Sequence, residues 1–422
     1  MTDEEIRRAA ERLLRSNLRR GVSPFDGQPY SFCLPSPGTY PYQWFWDSCF
    51  HAIVWSHIDI EQAKEELRTL LRAQERDGRI AHRICWERRA LYPYRFYLHS
   101  RSLLQPVRSQ LVQPPVLAIA LEKVYETSGD RSFLEQCLPR AQRFYDWLAR
   151  RRDPDGDGLL SIIHPYESGL DHKPAYDLVF GLRNPPPTAA VLAVRSLDVW
   201  NRLLNYNLRL IFRLDRFNVE DVSYNCIYAQ GLASLARLWA EVGDKARADA
   251  GRKQCRRVEK AVLSKCRHDD GLYYDLYSRA ERKALVKTVT CLFPLMLDGI
   301  TKAAARPLVD RLLSDGQFSL PYPLPTVAAD EPSFSATFKS PLRSGLWRGP
   351  TWVATNWFVV RGLRKHGFDD LAGTIVQRTR ELVERGGFRE FYNPYTGRPY
   401  GAHSFGWSTL IVDLLAGVDH PP

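Results

Sequence analysis

Apolar residues recur three and four positions apart along most of the chain, the spacing that gives a helix one buried face. It predicts about twelve helices, over roughly 3–19, 48–74, 114–128, 131–151, 187–205, 220–242, 243–264, 286–297, 299–314, 351–366, 369–385 and 405–416. Strand-like alternation is confined to short stretches. The helices come in pairs. One ends, a short turn follows (Ser128-Gly-Asp130, Val242-Gly-Asp244, Leu297-Asp-Gly299, Lys365-His-Gly367), and a second runs back. The second helix stops at a glycine mark: Asp77-Gly78, Asp157-Gly158, Asp270-Gly271, Asp315-Gly316 or Gly386-Gly387. Glycine beyond the last turn supplies a left-handed cap, and Asp-Gly makes a tight turn.

Hairpins of this kind cannot bury their faces alone, so they stack or close into a ring. Six of them predict an all-α fold, an (α/α)6 barrel, with residues 1–422 as a single catalytic domain. An open solenoid fits less well, because the glycine marks are unevenly spaced and long loops interrupt them. The interval 172–220 is irregular, with Asn184-Pro-Pro-Pro187 near its middle, and is expected to form a lid. Segments that follow the glycine marks should emerge at one end of the barrel: Arg79-Ile-Ala-His-Arg83, Leu159 to Asp171, and Phe388-Arg-Glu390.

Hydrophobic residues make up 44% of 422, enough for a sizeable core. No run of eighteen apolar residues occurs, so no membrane span is expected. Met1 to Arg8 leads into an amphipathic helix with no export signal, and the eight cysteines include no C-x-x-C pair. Reduced, buried thiols and a cytoplasmic location are the expectation. The formal charge of +11 is spread in pairs such as Arg19/Arg20 and Arg151/Arg152. That reads as a solvated basic surface, or as attraction for an anionic substrate, rather than a nucleic-acid footprint.

Chemistry concentrates in four segments where a carboxylate or cation sits beside large rings: Tyr42-Gln-Trp-Phe-Trp-Asp47, Glu167-Ser-Gly-Leu-Asp171, Leu346-Trp-Arg-Gly-Pro-Thr-Trp352 and Phe388-Arg-Glu-Phe-Tyr392. Rings stack on pyranose C–H faces, carboxylates bind hydroxyls, and two carboxyls can do acid and base work. Asp171 is the candidate general acid, although an aspartate there also suits a turn that bonds its own backbone. Glu390 is the candidate base, with pairing to Arg389 or Arg398 as the plain alternative. Asp47 suits a sugar hydroxyl or the N-cap of the helix that follows. Arg348 is a ligand candidate or a structural ion pair, and Gln113 is equally open. Tyr40, Glu167, Tyr224 and His403 complete the candidate substrate contacts; Arg213, Arg216, Tyr224 and His403 are also candidates for meeting a substrate carboxylate. Asp153-Pro-Asp-Gly-Asp-Gly158 hints at a calcium loop but lacks the expected glutamate, the position falling at His164, so it reads as a turn. No metal site is indicated elsewhere.

These motifs together resemble glycoside hydrolase family 63, especially its short bacterial members that hydrolyse mannosylglycerate and glucosylglycerate. The matching stretches run in the family's order from Gln43-Trp-Phe-Trp-Asp47 through Gln113-Pro-Pro115, His164 to Asp171, Trp347 to Trp352 and Glu390 to Gly397, ending at Phe405-Gly-Trp407. The resemblance implies an (α/α)6 barrel and an inverting α-glycosidase without a cofactor. It matches Asp171 to the acid, Glu390 to the base, and Trp46, Asp47, Gln113, Trp347 and Trp352 to positions that hold the sugar. An inverting pair would stand roughly 6.5–9.5 Å apart. The chain departs from the family just after the acid, with His172-Lys-Pro174 in place of Asn-Ser-Pro and Tyr176 in place of tryptophan. The expected partner is a small α-glycoside, α-glucosylglycerate or α-mannosylglycerate first, with no nucleic acid or membrane; homo-oligomer formation stays open. Three rival readings remain: a trehalase-like or α-glucosidase activity on neutral oligosaccharides; a sugar epimerase using histidines such as His82, His164 and His403; and a barrel that binds carbohydrate without turnover.

Overall fold

In the computed structural model, which describes residues 1–337 and 345–417, the helical pattern closes into a ring. Six inner elements follow one another round it: Phe45–Ser56, Leu117–Ser128, Val222–Glu241, the 3₁₀ helix Val289–Met296, Val353–Lys365, and the 3₁₀ turn Gly406–Leu410 that runs into Ile411–Ala416. Each packs on the next, and the last packs on the first. Outside them lie Ile60–Arg72, Arg131–Arg152, Lys245–Ala261, Lys302–Leu313, Asp369–Gly386 and the N-terminal helix Asp3–Asn17, which backs the last inner element. The fold is an (α/α)6 barrel.

Burial separates the two layers as the sequence requires. Every residue of Phe45–Ser56 is buried, because an inner helix meets protein all round. Asp3–Asn17 buries only Ile6, Ala10, Leu14 and Asn17, one stripe of an otherwise charged helix. Asp59, Asp130, Asp221 and Asp244 each accept a backbone N–H at a helix start, a cap that stabilises by about 1 kcal/mol.

The helix expected over 48–74 is two helices. The first ends at His57, and Asp59 caps the second through Gln62 N at 3.2 Å. Apolar spacing continues through this break, so periodicity alone does not register it. The stretch 286–297 is 3₁₀ rather than α, with Pro294 lacking the N–H that an α turn would use. Among the described residues, three short α-helices go unpredicted: Tyr94–Leu98, Ala175–Val179 and Leu208–Leu214.

Short strands fasten the loops above the inner helices. Gln43–Trp44 pairs with Arg83–Ile84 in the register Gln43↔Ile84, and Phe391–Tyr392 pairs with Pro399–Tyr400. Thr351 bridges to Tyr392, which joins the tryptophan segment to the Glu390 segment. All eight cysteines are buried and unpaired. Among the described residues no helix is long and apolar enough to cross a membrane.

Candidate active site

The N-terminal ends of four of the inner elements, or the segments just before them, converge on a small cavity of about 70 Å³. The first inner helix contributes Trp46 and Asp47. Gln113 precedes the second, Trp347 and Trp352 precede the fifth, and Phe405 and Trp407 open the sixth. Tyr40, Trp44, Asp171 and Glu390 complete the lining with Gly169 and Leu346. Seven aromatic rings thus surround three carboxylates and one carboxamide.

The rings hold one another in fixed orientations. Trp347 and Trp352 stack with centroids 3.8 Å apart and planes 11° from parallel, and Phe391 backs Trp352 at 5.0 Å. Trp407 stands edge-on to Trp46 at 4.6 Å. Gly169 has φ +74°, and a Cβ there would lie 2.2 Å from the Trp46 ring, so only glycine lets the Asp171 loop approach this closely.

Asp47 is not the N-cap of its helix. Trp44 takes that position without a side-chain bond, which puts Asp47 at the third helical residue and frees its carboxylate to accept the Trp407 indole N–H. Burial pushes the Asp47 carboxyl up to about 7, with Glu390 adding to the rise and His51 and the Trp407 bond opposing it. Gln113 accepts from Trp46 N at 3.2 Å and so satisfies an N–H that the helix start leaves open.

Glu390 is gripped at both oxygens. Tyr40 donates to Oε1 at 2.6 Å and Ala402 N donates to Oε2 at 2.7 Å. Two charge-assisted bonds fix the carboxylate plane. Gly401, at φ +71°, leaves the room this needs, since a Cβ there would fall 2.4 Å from Oε2.

A second cavity of about 270 Å³ adjoins the first and shares Tyr40, Trp44, Gln113, Asp171 and Leu346 with it. Its remaining walls are more polar and cationic: His82, Arg83, Arg95, His99, His172 and Arg195 line it beside Tyr42, Phe96 and Tyr166. Arg83 is buried and lies 3.6 Å over the Phe96 ring, while its Nε and Nη2 meet no acceptor. Burial lowers its guanidinium to about 10, still protonated at neutral pH. Burial also lowers His99 to about 4 and His172 to about 3, and holds His82 well below the ordinary histidine value, so all three imidazoles are neutral. Asp198 accepts from His99 at 2.7 Å and lies 3.0 Å from His164, which fixes the floor beneath.

Of the residues singled out in the sequence, Tyr40, Trp46, Asp47, Gln113, Asp171, Trp347, Trp352 and Glu390 come together here. Four do not. Glu167 is buried with its oxygens already occupied by the Arg152 guanidinium, Val112 N at 3.0 Å and Ile163 N at 2.8 Å. Arg348 forms a two-pronged pair with Asp177 at 2.8 and 2.6 Å. Tyr224 is buried in its helix away from both cavities, and His403 is exposed. Arg213 and Arg216 are exposed as well, the latter lying 3.9 Å over Trp200. The sequence motifs do not point to Arg83, Arg95, His99 or Arg195 of the outer cavity. The segment Arg79 to Arg83 follows a glycine mark and was expected at the functional end, but its charge resembles that of any surface arginine.

Comparison with known proteins follows the same pattern. The family model of the mannosylglycerate hydrolase MGH1-like glycoside hydrolase domain matches residues 40–408. A mannosylglycerate hydrolase from Thermus thermophilus is 32% identical over 410 residues, covering 90% of this chain and 96% of its own. A glucosylglycerate hydrolase from Mycolicibacterium hassiacum is 26% identical, covering 89% of this chain and 92% of its own. The crystal structure of a family 63 mannosylglycerate hydrolase from Thermus thermophilus, in complex with Tris and D-glycerate, superposes with a TM-score of 0.85 at 29% identity, covering 97% of this chain and 100% of that one. A yeast neutral trehalase, at 18% identity and a TM-score of 0.61, shares the fold alone.

Proposed function

The chain belongs to the mannosylglycerate hydrolase MGH1-like group of glycoside hydrolase family 63 and is a glycoside hydrolase, and on that premise we propose that it cleaves an α-glycoside of glycerate with inversion. One observation carries this reading. Asp171 lines both cavities, the aromatic inner one and the cationic outer one, whereas Glu390 lines only the inner.

A sugar fits the inner cavity against tryptophan faces, with Asp47 accepting its hydroxyls. Its glycerate then extends past Asp171 into the outer cavity, where the Arg83 guanidinium, with Arg95 and Arg195 in the same walls, meets the carboxylate. The scissile oxygen lies beside Asp171, which protonates it as the C–O bond breaks. Glu390 takes a proton from a water that attacks the anomeric carbon from the other face, and solvent later returns the proton to Asp171. The products are free glycerate and a sugar that appears first as its β-anomer. A lid formed by 172–220 is part of this proposal, supported by His172, Val191 and Arg195 lining the outer cavity.

The test compares turnover of α-mannosylglycerate and α-glucosylglycerate with that of the matching glycerol glycosides, which lack the carboxylate. Arg83→Gln is expected to raise KM for the glycerate glycosides by roughly 10-fold or more, the worth of a hydrogen bond to a charged group, and to change the glycerol glycosides by less than about twofold. Equal losses on both would remove the carboxylate from the account. Turnover of neutral oligosaccharides alone would replace it with the trehalase-like reading.

A further inference from the structure

Away from the cavities, four carboxylates from three segments meet. Asp155 and Asp157 lie in the turn after helix Arg131–Arg152, Glu220 ends the strand Val219–Glu220, and Glu281 sits in the turn between Leu276–Tyr277 and Arg282–Lys283. One oxygen from each lies within 4.8 Å of all the others. That is the span of two oxygens on opposite sides of a calcium ion with bonds of roughly 2.3–2.6 Å.

Acidic clusters are common without an ion, and Lys265 already pairs with Asp157 and, at 2.6 Å, with Glu281. Glu220 is what sets this cluster apart. It is 6% exposed, and its Oε2 is fully buried and meets no hydrogen-bond donor. The charges around it are chiefly those of Asp157, Asp155 and Glu281, with Lys265 a weaker opposing influence. A buried carboxylate facing three others, without a donor on its inner oxygen, is costly unless a cation joins it.

We propose that Asp155, Asp157, Glu220 and Glu281 bind a divalent cation of calcium type. The donors are all hard oxygens, with no imidazole or thiolate among them, which suits calcium rather than zinc. Reading Asp153 to Gly158 as a plain turn considers the loop alone. In the fold the glutamate missing from position His164 is replaced by Glu220 and Glu281, which arrive from distant parts of the chain.

The ion fastens the strands 219–220, 276–277 and 282–283 to the end of helix Arg131–Arg152. Val219 bridges Ile162, just ahead of the segment that carries Asp171, and Asp221 caps Val222–Glu241 while pairing with Lys173. Binding here braces the loop that holds the candidate acid without touching the cavity.

The experiment titrates chelator-stripped full-length protein with calcium chloride by calorimetry and follows thermal unfolding with and without the ion. One site per chain is expected, together with a rise of a few degrees in the unfolding midpoint. Asp155→Asn, at an exposed position, should weaken binding at least tenfold. Glu220→Gln should remove the calcium response while leaving the chelator-stripped midpoint unchanged or higher, since an amide is cheaper to bury than a carboxylate. Absence of both heat and midpoint shift in the unsubstituted protein would show that Lys265 alone neutralises the cluster and would overturn the proposal. Calcium binding retained at full strength by both variants would overturn it equally.

Discussion

Asp47 shows how burial sets the chemistry of a single residue. An aspartate in an unfolded chain titrates near 4, whereas in the fold this carboxyl is pushed up to about 7, first by burial. Below about pH 4 both states are protonated and nothing is lost. As pH rises, the folded state must hold a charge it resists, and the cost is complete above about 7. Asp47→Asn is therefore expected to leave the unfolding midpoint unchanged near pH 4, to raise it by a few degrees near pH 8, and to remove most turnover. Thermal melts at the two pH values check this, and a variant less stable at pH 8 would contradict it. For Asp171→Asn and Glu390→Gln the expectation is a fall in kcat of about 10²–10⁴-fold each, the usual worth of a positioned acid or base. Steady-state assays read that loss, and near-normal turnover by either variant would remove that residue from the mechanism. At this scale the sequence pointed to acids flanked by rings, and the fold brings two of them, Asp171 and Glu390, to the inner cavity. The sequence left Arg348 as a ligand or a structural ion pair, and the fold pairs it with Asp177 just as it pairs Glu167 with Arg152. The sequence was silent at Arg83, because burial against Phe96, not residue type, distinguishes that arginine from the rest.

Elements carry these residues to one place. The first and sixth inner elements present their first turns to the cavity, and short segments before the second and fifth, Gln113 and Trp347 to Trp352, supply side chains that no helix face could. The hairpin pattern and its glycine marks made most helices legible. The break at 57–59 was hidden, since only the Asp59 cap marks it, and the five-residue helices are too short to show a period. Gly169 tests how closely the acid loop must approach its neighbour. Gly169→Ala places a methyl group against the Trp46 ring in a backbone conformation that alanine resists. We expect a stability loss of about 1–3 kcal/mol with a larger relative loss in kcat/KM. Urea melts and kinetics read the two effects, and an alanine variant with unchanged kcat/KM would contradict the close fit.

At the scale of the whole molecule, closure of six hairpins into a ring follows from helices that are apolar all round set beside helices with one stripe, which is why the fold could be read from periodicity. The net charge of +11 had two readings in the sequence, solvated surface or attraction for an anion. With Arg83, Arg95 and Arg195 lining the outer cavity, the second becomes testable. For a glycerate glycoside, kcat/KM should fall steadily as salt rises from low to physiological ionic strength, while a glycerol glycoside should respond little. Parallel salt curves for the two would assign the charge to the surface alone. The most direct test of the central claim is proton NMR of the purified protein with α-mannosylglycerate and α-glucosylglycerate, read in the first minutes of reaction. The account predicts glycerate release with the β-anomer of the sugar appearing first and the α-anomer growing in only by mutarotation; an α-anomer present from the outset would contradict the roles given to Asp171 and Glu390.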